Sequence, residues 1–197
     1  MALPDSAIQG VHAIELTLEH APLLQRFFEA NPAYFLATSG EPAGLREGLE
    51  TITGEVPAEM SCTSKRIFGY VGPEGSLVAM AHVVTDLLAS SIHHIGLFIV
   101  ATDLHGSGQA QRLYQALERW AIAERAAWLR LSVVAGNTRA ERFWAAQGYR
   151  PVRERPGVRM GPRVVTLRTL VKPLAAGSLE PYFSLAPRDR PEPEGLC

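Results

Sequence analysis

The segment His105-Gly106-Ser107-Gly108-Gln109-Ala110 constrains this chain more than any other stretch. Before it runs Ile92 to Val100, almost wholly apolar after its two histidines, which suits a strand buried on both faces. After it, from about Ala110 to Arg125, Leu113, Leu117, Trp120 and Ala121 recur at helical spacing. The glycines let the backbone turn tightly and aim several N–H groups into one concavity. The helix start adds partial positive charge there, so an anion, most often a phosphate, fits. A second apolar run, Trp128 to Val134, follows the helix and completes the pattern of a parallel crossover. The turn lacks the Gly-Lys-Ser/Thr ending of a Walker loop. The strand after it ends Ser132-Val133-Val134-Ala135-Gly136, without the acid a dinucleotide site places on a ribose. Either the stretch is only a tight strand-to-helix turn, or a phosphate bound there belongs to another kind of ligand.

The rest of the chain surrounds this unit with short elements. Thr17 to Ala30 reads as an amphipathic helix stopped by Asn31-Pro32, and Ala43 to Ile52 as a second short helix. Lys65 to Val71 and Leu77 to Thr85 flank the turn Gly72-Pro73-Glu74-Gly75 and read as a hairpin. Asn137 or Thr138 caps a helix that runs to about Gln147 and stops at Gly148. Two strands follow, Arg150 to Glu154 and Val164 to Lys172. The expectation is an α/β (α+β) domain over residues 1–172, with a mixed sheet of about six to seven strands and about four helices. Residues 173–197 read as a Pro-rich tail, at least the last ten residues disordered.

Charge narrows the partners. Of 197 residues, 19 are basic and 20 acidic, which argues against a general nucleic-acid binder. Residues 1–60 hold nine acidic side chains against Arg26 and Arg46, so the remainder is net positive by about six. Arg150, Arg153, Arg155, Arg159, Arg163 and Arg168 face only Glu154 as a local opposing charge. No apolar run is long enough to span a bilayer, and the start Met1-Ala2-Leu3-Pro4-Asp5 has no secretory pattern. Cys62 and Cys197 form neither a disulfide framework nor a zinc motif. A cytoplasmic protein without a metal or membrane partner is expected, as a monomer or homodimer.

A second segment, Asn137-Thr138-Arg139-Ala140-Glu141-Arg142-Phe143-Trp144-Ala145-Ala146-Gln147-Gly148-Tyr149, lies about thirty residues after the glycine turn. Together, in this order and spacing, the two segments resemble the GNAT superfamily of acyl-CoA-dependent N-acetyltransferases. The first matches Arg/Gln-x-x-Gly-x-Gly/Ala except that His105 replaces Arg/Gln; the second matches at Asn137, Ala140, Phe143, Gly148 and, conservatively, Tyr149. Trp144 stands where a Tyr is common.

The resemblance implies a GNAT-like fold whose sheet splays between the strands 92–100 and 128–134. It implies acetyl-CoA as co-substrate, with its pyrophosphate on the backbone of His105, Gly106, Ser107, Gly108, Gln109 and Ala110. The pantetheine arm would lie along Phe98, Ile99 and Val100, near Asn137, with Phe143 and Trp144 at its thiol end. Arg112 or Arg142 would reach the 3′-phosphate. His94 falls where several family members carry a catalytic Glu, which makes it the candidate general base. Strand alternation groups it with Gly96 and Phe98. His82 and Tyr34 are candidate acceptor-binding residues. Trp144 removes the usual acid, because an indole does not protonate a thiolate, and leaves water or Tyr149. The implied reaction is direct acetyl transfer to the primary amine of a small or amino-acid-like acceptor in a ternary complex. A peptide or protein amine is the nearest variant, and a CoA-binding module without catalysis the alternative.

Overall fold

The structure is a computed structural model that describes residues 3–174 and 178–191. One sheet of seven strands runs through it: β1 (His12–Glu15), β2 (Ser64–Val71), β3 (Leu77–Thr85), β4 (Ile92–Val100), β5 (Trp128–Val134), β6 (Arg150–Met160) and β7 (Arg163–Pro173). Their order across the sheet is β1-β2-β3-β4-β5-β7-β6. Six helices accompany them: α1 (Ala21–Ala30), α2 (Ala33–Thr38), α3 (Glu47–Thr53), α4 (Gln109–Ala123), α5 (Thr138–Ala146) and α6 (Leu179–Leu185). Among the described residues no helix is long and apolar enough to cross a membrane.

All strand pairs are antiparallel except β4 with β5, joined by the crossover through α4. That pairing covers only Ile92 to Ile95 against Trp128 to Leu131. Beyond it each strand stays bonded to its outer neighbour alone, β4 to β3 as far as Val100 and β5 to β7 as far as Val134. The sheet therefore forks after Ile95. A β-bulge marks the fork: His82 pairs with Leu97 and Val83 with Ile95, which leaves Gly96 unopposed.

The bulge changes which side chains share a face. Ile95 and Phe98 both pack under α4 and α5, with Leu117, Trp120 and Trp144. Leu97 and Ile99 pack on the opposite face, against Phe27, Phe28 and Phe35 of α1 and α2. Phe98 therefore does not share a face with His94, as strict alternation would have it; His94 lies on the side of Leu97 and Ile99.

Several boundaries move from the sequence reading. The first helix divides into a 3-10 turn, Leu18–His20, and α1. α1 ends at Ala30 before Asn31-Pro32 as expected, and Pro32 then caps the start of a further helix, α2. The second short helix begins at Glu47 rather than Ala43. The edge strand β1, only four residues long, carries no sequence signal. The hairpin β6–β7 is longer than expected, and its tip crosses to the α2 end. There Arg163 Nη1 donates to the Leu36 carbonyl at 3.1 Å, with its guanidinium over Gly40.

Of the segment after residue 172, residues 178–191 are described and pack onto the sheet. Tyr182 of α6 is fully buried with Ile92, Val152 and Val171. Within the last ten residues, Asp189 of a 3-10 turn (Pro187–Asp189) is 1 % exposed. Residues 192–197 lie outside the described residues. Asp189 takes two bonds from Arg130 on β5, Nε to Oδ2 at 2.7 Å and Nη2 to Oδ1 at 3.0 Å. A Tyr182 O–H bond adds a third. Burial alone would raise the carboxyl pKa, but the Arg130 bonds outweigh it and hold the group below its ordinary value. Asp189→Ala leaves a buried guanidinium without its counter-charge, and should cost about 3–5 kcal/mol of unfolding free energy. Chemical denaturation at neutral pH measures this, and a loss below about 1 kcal/mol would contradict the account.

Candidate active site

The fork opens into a cleft between the limb carrying β4 and the limb carrying β5. On the first limb it is lined by Phe98, Ile99 and Val100 and, at its end, by Thr102, His105 and Ala110. Asn137, Arg139, Ala140, Phe143 and Trp144 form the second wall, and Asn31, Ala33, Tyr34 and Ala37 the third. The structure thus brings Tyr34, Phe98, Ile99, Val100, His105, Ala110, Asn137, Phe143 and Trp144 together around one space. Gly106, Ser107, Gly108 and Gln109 form the turn at its end, and His82 and His94 lie outside its lining.

The glycine turn needs its glycines. Gly106 and Gly108 both have φ +79°, the left-handed region, with nothing within 4 Å of where a Cβ would stand. Gly108 caps α4 without a side-chain bond, so first-turn N–H groups of α4 lack intrahelical partners and face outward. His105 is tied back to the strand: its Nε2 lies 2.9 Å from the Val100 carbonyl. A carbonyl only accepts, so Nε2 carries the proton and Nδ1 keeps a lone pair. Burial lowers the His105 pKa against the pull of that carbonyl, and Arg139 lowers it further. The cation that lines the cleft beside the turn is thus Arg139, whereas Arg112 and Arg142, the two that the resemblance suggested, are not in its lining.

On the opposite wall Asn137 caps α5, accepting from Ala140 N at 3.3 Å. Phe143 stacks on Phe98 at 6.1 Å, and Trp144 stands edge-on to Tyr114 at 5.4 Å. Tyr149, the alternative acid, is buried behind Trp144, 3.2 Å from the Tyr114 hydroxyl. Burial raises its pKa well above the ordinary phenol value, so it holds its proton away from the cleft. Asn31 does more than stop a helix. Its buried amide bonds the Phe27 carbonyl at 2.8 Å and takes Thr102 N at 2.7 Å, joining α1 to the end of β4. Tyr34 presents a hydroxyl without a hydrogen-bond partner among the described residues; burial and Glu47 raise its pKa to about 12.

His94 has a chemical character other than the one expected of a base. Its Nδ1 lies 3.2 Å from Arg130 Nη1. A guanidinium never accepts, so Nδ1 is the acceptor and the proton sits on Nε2. Burial, then Arg130, then His82 lower its pKa to about 3, against smaller raising effects of Asp189 and the Arg130 backbone. His82 leans into the space that a side chain at Gly96 would take. Burial and Lys65 lower its pKa to about 4. Both histidines are neutral at pH 7.

A family model described as the acetyltransferase (GNAT) family matches residues 19–149, two thirds of the sequence and all of this site except its C-terminal partners. The chain belongs to the GNAT family of acetyltransferases. Among solved structures it is similar to an acetyltransferase from Thermus thermophilus. That chain shares 26 % identity at a TM-score of 0.66, covering 84 % of this chain and 98 % of its own. The fold is also that of spermidine N-acetyltransferase from Vibrio cholerae, solved with CoA and spermine, at 12 % identity and TM-score 0.65 (85 % and 98 % covered). The ribosomal-protein-S18-alanine N-acetyltransferase from Escherichia coli shares it at 13 % and 0.59 (86 % and 97 % covered). No curated protein matches the sequence.

Two of the histidines with a lowered pKa, His82 and His94, tie the stability of this acetyltransferase to pH. In the unfolded chain each takes a proton near pH 6.5, while the folded state delays it to about 4 for His82 and about 3 for His94. Below pH 6.5 the unfolded state therefore binds more protons, and stability falls as pH drops. The unfolding temperature should decline steadily from pH 6.5 to 4, and His82→Gln should flatten the slope. A wild-type curve level over that range would show that neither group is held neutral.

Proposed function

We propose that this chain transfers the acetyl group of acetyl-CoA to the primary amine of a small or amino-acid-like acceptor, by direct attack with both substrates bound. The observation that carries this reading is the fork beside the glycine turn. After Ile95 the inner edge of β4 has lost its sheet partner, so Phe98 to Val100, apart from the Val100 carbonyl held by His105, offer backbone groups along the cleft without a strand across from them. An arm of alternating amides fits such an edge as an extra strand fits a sheet. At its end, the turn from His105 to Ala110, whose His105, Ser107 and Gln109 N–H groups bond within it while those of Gly106, Gly108 and Ala110 are left over, and the side chain of Arg139 suit a pyrophosphate and a further phosphate.

Acetyl-CoA supplies an acyl group on a good leaving group. The chain supplies position, an N–H of the β4 edge for the developing oxyanion, and aromatic walls that exclude water. Phe98, Phe143 and Trp144 form those walls near the fork. Tyr34 offers a hydroxyl donor on the acceptor side.

Proton removal from the amine falls to water in this reading. The titratable groups lining the cleft are Tyr34, His105 and Arg139. Tyr34 is protonated, Arg139 is a cation, and His105 sits at the phosphate end. His94 already spends its lone pair on Arg130. Attack then requires an amine that arrives neutral, and kcat/KM should rise with pH along the ionisation of each acceptor. Thiol release from acetyl-CoA with spermidine, lysine, glycinamide and an Ala-terminated peptide tests this. Turnover on the small amines is expected, with profiles that follow each amine's own pKa. Profiles that bend at one pH for every acceptor would assign the proton to a side chain instead. CoA binding without thiol release on any amine would return the chain to a non-catalytic module, and turnover confined to the peptide would make a protein amine the acceptor.

The cofactor half has its own test. Asp and Asn both tolerate the left-handed region, so Gly108→Asp and Gly108→Asn load the backbone alike and differ mainly in charge. CoA affinity should fall much further in Gly108→Asp than in Gly108→Asn, by calorimetric titration, and the gap should shrink with pantetheine fragments lacking the pyrophosphate. Equal affinities for CoA would remove the pyrophosphate from this turn.

A further inference from the structure

We propose that Arg130 and Asp189 are positioning residues that fix His94 as a hydrogen-bond donor toward the acceptor, on the sheet face opposite α4. The proposal rests on the acyl-transfer reading only for where the acceptor sits; the arrangement of the three side chains stands apart from it.

The chain of bonds runs one way. Asp189 receives Arg130 through two parallel bonds of 2.7 and 3.0 Å, a fork-to-fork geometry that fixes the guanidinium plane. Tyr182 donates to the same carboxylate, so its position is set by a fully buried ring. The remaining guanidinium nitrogen, Nη1, is held in the same plane, and His94 Nδ1 lies 3.2 Å from it. Accepting from Nη1 at Nδ1, the imidazole carries its proton on Nε2. Its Nε2–H points away from β5, because the two ring nitrogens lie on opposite sides of the imidazole.

That Nε2 is open. It is not among the buried unpartnered atoms, which include the Nε2 of both His82 and His93, and the ring also has a hydrogen bond with the Arg130 backbone. The residue is half-buried, two positions before the exposed Gly96 at the fork. A donor held open by a buried ion pair suits an acceptor with a carboxylate or carbonyl oxygen close to its amine. This is the amino-acid-like class rather than a simple polyamine. The charged and titratable groups around His94 are Arg130 from β5, His82 from β3, with Lys65 beyond it, and Asp189 and Tyr182 from the C-terminal segment. Removing Arg130 takes away a neighbouring cation, leaves Asp189, and should raise the pH at which His94 protonates.

The tautomer can be read without any substrate. Long-range 1H–15N correlation of the imidazoles, with His94→Gln for assignment, should show wild-type His94 purely as the Nε2–H form between pH 5 and 8. In Arg130→Met the pattern should become a mixture of tautomers with a higher protonation midpoint. Asp189→Asn, which keeps volume and one acceptor, should lie between, and Arg130→Lys should restore little because an ammonium cannot make three divergent planar bonds. With glycinamide and lysine as acceptors, kcat/KM for the amine should fall by about tenfold to a hundredfold in Arg130→Met, while KM for acetyl-CoA stays unchanged. A wild-type Nδ1–H form, or an Arg130→Met protein that keeps the Nε2–H form, overturns the proposal. So does an equal loss for spermidine and glycinamide. If Arg130→Met does not fold, the Asp189→Asn spectrum decides. If no amine is acetylated by the wild type, the reading as an acetyl-transfer site fails while the spectra still decide the relay.

Discussion

The loss of pairing between β4 and β5 after Ile95 governs this molecule. Backbone groups at the centre of a sheet are normally satisfied across both edges, and here the inner edges of two strands are left without each other. The bulge at Gly96 starts the separation, and Asn31, bound to Thr102, holds the first limb to α1. On the second limb, β7 pairs with the whole of β5 and keeps it straight. Each strand simply keeps one neighbour and gives up the other, and the free edge becomes a template for an extended ligand.

The two faces of the sheet differ in chemistry. Under α4 and α5 lies an aromatic cluster, Phe98, Tyr114, Phe143, Trp144 and Tyr149, whose hydroxyls bond each other or remain distant from the cleft. This side is built for packing and for excluding water. The other face carries His82, His94, Tyr34 and the buried Arg130–Asp189 pair. The bulge separates these roles, because it turns Phe98 to one side while His94 and Ile99 face the other.

How much of this is legible in the sequence depends on the range of the interaction. The spans Leu77–Thr85, Ile92–Val100 and Trp128–Val134 can be read residue by residue, since apolar runs bounded by turns are local signals. The glycine turn and the Asn137 segment place the cleft, because spacing along the chain maps directly onto a turn and a cap. The bulge at Gly96 leaves no local trace, and one extra residue reverses the face assigned to Phe98. Proline and charge content, the signals in the C-terminal segment, describe solvent exposure on average. Tyr182 and Asp189 depart from that average, since each is buried by a partner about fifty or more residues away in sequence. Arg130, in an apolar strand, is the one visible clue: a lone cation in a buried run requires an anion, and the anion has to come from elsewhere.

That requirement has a consequence for how the chain is made. Translation delivers β4, α4 and β5 well before residue 189, so for a time Arg130 sits on a strand that wants to be buried without the carboxylate that permits it. Over that interval the β5 limb has reason to stay hydrated on one face. The ribosome must add Asp189 before the sheet can dry. Completion of the domain and setting of His94 are then a single late event, and an interrupted chain would be arrested with its acceptor side unformed rather than folded and merely slow.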